Sequence, residues 1–238
     1  MIVTYTENGW SIVLQRSHGA LAAQICGHWK RETQPKRWVE TLIATADHDD
    51  VKDELSLPEL IHKNGGPKNF KMKDFDRDYC DNLLEAVLTK GRYIGILIGR
   101  HIRFLYGNDP AGKQYCKSLK KKEKKWISEA GTTDKEISAS YQLLEFCDAF
   151  SLLICQGLVQ PENRKMEISS GPDGTTYQLG LSNQGNLIVT PWPFEGDHFT
   201  VNYESRHIRQ LTFESNEEFR AALNDAPVQL HTLIIAEE

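Results

Sequence analysis

The chain is poor in the features that would assign it quickly to a class. It has five cysteines in 238 residues and no CxxC pair. Cys26, Cys80, Cys116, Cys147 and Cys155 are odd in number and widely spaced. That argues against a disulfide framework and against a thiolate metal site, and reads as reduced thiols in a cytoplasmic protein. No run approaches the roughly 18 apolar residues of a spanning helix. Met1 leads into an alternating stretch rather than a basic start and an apolar run, so no secretory signal is expected. There is no internal repeat. Gly65-Gly66-Pro67 lacks the Lys-Ser/Thr of a phosphate loop. Neither charge sign dominates: Lys and Arg number 28, Asp and Glu 33, and the net charge is -5. That balance argues against a general nucleic-acid or membrane-surface binder.

What is present is an ordinary globular composition, 39% hydrophobic and 26% charged, long enough to bury a core without staples. Ile2–Thr6 and Trp10–Leu14 alternate around Glu7-Asn8-Gly9, which reads as a hairpin. Ser17 reads as an N-cap. Helical periodicity then covers roughly 18–30, 35–49, 75–90, 92–106, 114–129 and 134–159. Pro35 suits a first helical turn, and Thr133 with Glu136 has capping-box spacing. Leu57 to Lys73 holds Pro58 and Gly65-Gly66-Pro67 and reads as a long loop. After Pro161 come four strand-like segments, a short helix at Glu217–Leu223 and a final strand at Gln229–Ala236. The expected class is α+β. A hairpin (1–16) joins a β region (161–238) of C-terminal strands, and a helical domain (17–160) lies between them.

Three polar residues break apolar stripes of helical spacing. His18 lies with Leu21, Ala22, Ile25 and Trp29; His101 lies with Ile94, Leu97, Ile98, Phe104 and Leu105. Asp148 lies with Ile137, Tyr141, Leu144, Ser151 and Cys155. A buried polar group costs free energy unless it is satisfied, and a carboxylate in such company needs a partner. The dipeptide His48-Asp49 ends a fourth helix whose stripe is Val39, Leu42, Ile43 and Ala46. That stripe puts Asp49 near its edge and His48 on the far side. One shared metal ion would satisfy them all. Histidine and carboxylate without thiolate suit Fe, Mn, Zn, Co or Ni, as one ion or two. Asp49 is the candidate catalytic residue as well as a ligand, since an aspartate beside a liganding histidine can bind one ion or bridge two.

His18, then His48-Asp49, then Asp148, each on a different helix, resembles the H…HD…D signature of the HD superfamily of metal-dependent phosphohydrolases. The resemblance implies an HD-like helical bundle over 17–160, with His18, His48, Asp49 and Asp148 as metal ligands. His101, lying between the dyad and the last aspartate, becomes a candidate ligand of a second ion, with His62 a weaker one. A closer resemblance covers nearly the whole chain. Gln15–Ala22, Ala46–Asp50, Cys147–Leu152 and Pro191–Phe194 resemble the uncharacterised family called domain of unknown function 3891.

The expected function is hydrolysis of a small phosphoester or nucleotide by a metal-dependent enzyme, with a small, phosphorylated substrate and no membrane partner. The alternatives are a di-iron oxygenase of HD type, or a non-catalytic protein that binds a ligand or partner. Either Arg100 or Arg103 could orient a phosphate. The run Lys113–Lys125 reads as a solvated helix face rather than a nucleic-acid patch. Trp192 and Phe194 read as a core plug.

Overall fold

The computed structural model describes residues 1–50, 54–162 and 164–238. β1 (Ile2–Thr6) and β2 (Gly9–Val13) form the expected antiparallel hairpin. Thr6 pairs with Gly9, so Glu7-Asn8 is the two-residue turn. Gly9 has φ 128°, and a Cβ there would stand 2.2 Å from the carbonyl oxygen of Ile208. Only glycine meets both conditions.

Among the described residues seven α-helices follow from the periodic segments: α1 (Gln15–Gly27), α2 (Trp38–Asp47), α3 (Arg77–Leu88), α4 (Arg92–Tyr106), α5 (Lys113–Glu129), α6 (Asp134–Cys155) and α7 (Asn216–Asp225). The capping box at Thr133 and Glu136 is formed. Two other terminus signals misled. Leu14, not Ser17, precedes the first turn of α1, and Pro35 lies ahead of α2 rather than in it. The Ser17 hydroxyl instead accepts from the amide of Glu204 at 3.2 Å. The Leu57–Lys73 loop holds a single 3-10 turn at Phe70–Met72 and one bridge between Ile61 and Pro67.

The expectation of a mainly helical HD-like bundle with an appended β region is overturned. The chain is α+β, built on one curled, mixed sheet of seven strands drawn from both ends of the sequence. The remaining strands are β3 (Met166–Ser170), β4 (Thr176–Leu181), β5 (Leu187–Thr190), β6 (His198–Ile208) and β7 (Val228–Ala236). Their order is β1-β2-β6-β7-β5-β4-β3, antiparallel except for the parallel pair β5–β7. Local periodicity shows each element but not its partner. β2 pairs with residues about two hundred positions away, Trp10 opposite Ile208, and no window of sequence displays such a contact.

The sheet and the helices share a core. Trp29, Phe146 and Phe150 from the helical segment pack with Tyr177, Leu179, Val189 and Val201 from the strands. Phe194 is fully buried there and bridges Trp29, so the Pro191–Phe194 segment is a core plug. A second core, of Leu83, Tyr93, Leu97, Trp126 and Leu144, lies among the helices. α6 serves both, with Phe146 and Phe150 in one and Ile137 and Leu144 in the other. It is long and apolar enough to cross a membrane by length and composition, and facing two cores accounts for that apolarity.

Candidate metal centre

α2 decides where the site forms. Two of its most apolar residues do not face inward: Val39 is 66% exposed and Ile43 37%, while Trp38 and Leu42 pack partly buried against the core. The buried face is Thr41, Ala44, Thr45 and His48, which recur at intervals of three, one and three along one helical stripe. Both threonines satisfy their hydroxyls within the helix. Thr41 Oγ1 donates to the Arg37 carbonyl at 3.0 Å and Thr45 Oγ1 to that of Thr41 at 2.9 Å. A face of small side chains lets neighbouring helices come close. His48, expected on the far side, is therefore fully buried just beyond the last residue of α2.

α1 approaches α2 closely. A Cβ on Gly19 would lie 2.5 Å from the carbonyl oxygen of Ala46, so only glycine fits where α1 crosses α2. The neighbouring residue His18 is thereby brought against His48. Gly19→Ala should force the two helices apart and weaken metal binding about tenfold or more, because ligand placement tolerates only tenths of an ångström. Chelator competition measures the affinity, and a thermal melt checks that the fold survives.

Four elements bring the five candidate ligands together. His18 comes from α1, His48 and Asp49 follow α2, His101 is on α4 and Asp148 on α6. His18, His48 and His101 are buried, as is Asp148; the Asp49 side chain keeps 18% exposure. Their donor atoms form two overlapping groups, His18–His48–Asp49 and His48–His101–Asp148, with the atoms of each within 4.8 Å of one another. His62 belongs to neither group. It stays in its loop, its amide bonded to Gly66.

The tautomers follow from the partners. The Nδ1 of His48 faces the Thr45 carbonyl at 2.8 Å, and a carbonyl only accepts, so Nδ1 carries the proton. Ser151 Oγ donates to the Asp148 carbonyl at 2.9 Å. Having spent its single proton, that hydroxyl accepts from His18 Nδ1, also at 2.9 Å. Both imidazoles are thus left with bare Nε2 lone pairs. These two atoms face each other at 3.0 Å. Asp148 Oδ1 lies 3.1 Å from the first and 3.2 Å from the second. Three lone-pair donors cannot converge in a buried site without a cation among them.

The spacing tests what that cation can be. Bonds of about 2.0–2.2 Å to nitrogen and oxygen put ligands at right angles about 2.8–3.1 Å apart. The observed separations match that range closely, so the set fits three adjacent positions on a transition-metal ion. Thr45 and Ser151 fill the orienting role that partners of liganding histidines have in metal sites. Asp49 Oδ2 is farther, 3.8 Å from His48 Nε2, and accepts from Gln15 Nε2 at 2.7 Å. Tyr79 OH donates to the Asp49 carbonyl at 3.4 Å. The His101 ring stands edge-on to His48, centroids 5.1 Å apart, with its Nδ1 buried and unpartnered among the described residues.

A proton is the other available cation. Burial works to lower the pKa of His48, but Asp148 and Asp49 outweigh it and raise it to about 9. Burial pushes Asp148 upward, yet the facing histidines hold its carboxyl well below the usual carboxylate range. Burial lowers His101. The metal-free centre is therefore a His48 imidazolium clamped by Asp148.

The apolar-stripe argument and the His-Asp dyad singled out five residues, and the fold brings the donor atoms of all five together. Both missed Gln15, Thr45, Tyr79 and Ser151. Ser151 was visible as the stripe residue after Asp148. Gln15 and Tyr79 reach Asp49 from distant segments, and the carbonyl of Thr45 carries no side-chain signal. No curated protein and no solved structure matches the chain. The family model described as Protein of unknown function (DUF3891) matches residues 1–210, and the chain belongs to that family.

Proposed function

We propose that this protein holds a divalent transition-metal ion through His18, His48, Asp49 and Asp148, with His101 beside them, and hydrolyses a small phosphoester. The observation that carries the reading is the convergence of two bare Nε2 atoms and Asp148 Oδ1 at 3.0–3.2 Å. The chain order His18, His48-Asp49, Asp148 supports it, being similar to that of HD metal-dependent phosphohydrolases. Neutral imidazole and carboxylate without thiolate suit Fe, Mn, Zn, Co or Ni.

When bound, such an ion supplies Lewis acidity and a hydroxide nucleophile near neutral pH. The chain supplies position and charge. Thr45 and Ser151 fix the two imidazole tautomers, and Gln15 fixes the Asp49 carboxylate. Asp49 keeps 18% side-chain exposure against 10% for Asp148, and as the more accessible carboxylate is the candidate to take the proton of attacking water. One ion accounts for the donors better than two. His48 belongs to both groups, yet has a single free nitrogen. That count disfavours the di-iron oxygenase alternative. Five free cysteines support a reducing, cytoplasmic setting.

The test is release of p-nitrophenol from p-nitrophenyl phosphate and its diester by protein loaded with Mn, Co, Fe, Ni or Zn. Wild type should turn over with at least one ion, and Asp49→Ala should lose about a hundredfold or more in rate. No turnover with any loaded ion, or an unchanged rate in Asp49→Ala, contradicts the reading and leaves a non-catalytic binding role.

A further inference from the structure

The corner formed by α4, α5 and α6 holds a cluster that the metal centre does not use. A cleft of about 470 Å³ opens there, lined by Arg100, Arg103, Lys113, Lys117 and Lys120 and, among the described residues, by no carboxylate. The arginines are already engaged. Arg100 Nε donates to Glu123 Oε1 at 2.8 Å, and Arg103 is paired with the same carboxylate. The lysines are not: Lys113, Lys117 and Lys120 are exposed and have no carboxylate partner among the described residues. They recur on α5 at intervals of four and three, on one face, where like charges repel. A chain of net charge -5 has acid to spare, yet none is placed here.

The second cleft near the centre has the opposite character. It reaches Tyr79, and Glu54, Glu59, Asp74, Asp76 and Asp78 outnumber its Lys68, Lys73 and Arg77. An anion is attracted to the first cleft and repelled by this one.

Tyr141 links the lysine cleft to the metal centre. Its ring lines the cleft, and its hydroxyl is buried without a partner among the described residues. Its centroid lies 6.4 Å from that of His101, whose donor atom belongs to the metal group. A buried hydroxyl left unsatisfied is costly, and a ligand accepting its proton would relieve that cost. We propose that this cleft binds the phosphate chain of a substrate with two or more phosphoryl groups, through Lys113, Lys117, Lys120 and the Tyr141 hydroxyl. As a substrate assignment this rests on the phosphoesterase reading. With Tyr141 on the cleft and its ring 6.4 Å from that of His101, a chain of phosphates held by the lysines would extend toward the metal donors. Phe104, 57% exposed on the cleft wall, offers a ring face to whatever the chain carries.

The experiment is calorimetric titration of the metal-loaded full chain with tripolyphosphate and with inorganic phosphate at low salt. Wild type should bind tripolyphosphate about tenfold or more tighter than phosphate. The triple variant Lys113→Gln, Lys117→Gln, Lys120→Gln changes only exposed positions. It should lose about tenfold or more of that affinity while keeping its metal. Tyr141→Phe should lose about threefold. Equal binding of the two anions, or tripolyphosphate binding unchanged in the triple variant, overturns the proposal; binding through the metal alone would give the latter result. Metal content of the same samples separates this inference from the one it rests on. Lysine-dependent binding by protein that takes up no metal on loading would keep the cleft as an anion site and remove the phosphoesterase. Loaded metal without anion binding would do the reverse.

Discussion

His48→Ala is expected to weaken metal binding more than replacement of any other donor. His48 is the one residue common to both donor groups. Its Nε2 lies 3.0 Å from His18 Nε2 and 3.2 Å from Asp148 Oδ1, so its loss opens the middle of the set. Removing a residue that merely orients a ligand costs about 10–100-fold in affinity, so loss of the shared ligand itself should exceed about a hundredfold. His101→Ala should cost less, since its ring meets His48 edge-on at 5.1 Å and its Nδ1 has no fixing partner among the described residues. Competition against a fluorescent chelator ranks the variants. A His48→Ala protein that binds metal as tightly as His101→Ala would refute the shared role.

The second large effect is a reversal of pH dependence between metal-free and metal-loaded protein. In the metal-free state the folded pKa of His48 is raised from 6.5 to about 9. A raised pKa means the folded state holds the proton more tightly than the unfolded chain. The stabilisation is complete below about pH 6.5 and is lost as pH rises through about 9. Its upper limit is about 3 kcal/mol, since each unit is worth about 1.4 kcal/mol. The Asp148 carboxyl, held low, contributes above its unfolded value of 3.8 and loses that contribution only as pH falls through its depressed folded value. Metal binding requires the His48 proton to leave, so bound metal stabilises more as pH rises. Between pH 6.5 and 9, chelated protein should lose denaturation free energy while loaded protein holds or gains it. Parallel curves for the two forms would contradict the assignment of proton and metal to the same place. In His48→Gln, which cannot take up that proton, the chelated protein should lose its slope.

Most of the site was legible because burial of polar groups is costly. His18 among Leu21, Ala22 and Ile25, and Asp148 among Leu144 and Phe150, stand out in the sequence alone, since apolar spacing predicts where each side chain points. α2 defeated the same reasoning. Its inward face is Thr41, Ala44 and Thr45, chosen by close helix approach rather than by hydrophobicity, while Val39 and Ile43 are left outside. A stripe drawn through the most apolar residues therefore put His48 on the wrong side. The sheet was less legible for a different reason. β1 and β2 are plain in the alternation of residues 2–14, but the pairing of β2 with β6, and of β5 with β7, is fixed by contacts distant in sequence. The lysines of α5 read as an ordinary solvated face. Only the structure shows that they share a cleft with Tyr141, one ring contact from His101.

The most direct test of the metal centre is elemental analysis by mass spectrometry of protein purified without chelator or added metal, beside His48→Ala and Asp148→Ala. The account predicts close to one equivalent of Fe, Mn, Zn, Co or Ni in wild type and its loss from both variants. A wild type that is metal-free, and remains so after incubation with each of those ions, would mean that the cation between His48 and Asp148 is only a proton, and would contradict the account at its centre.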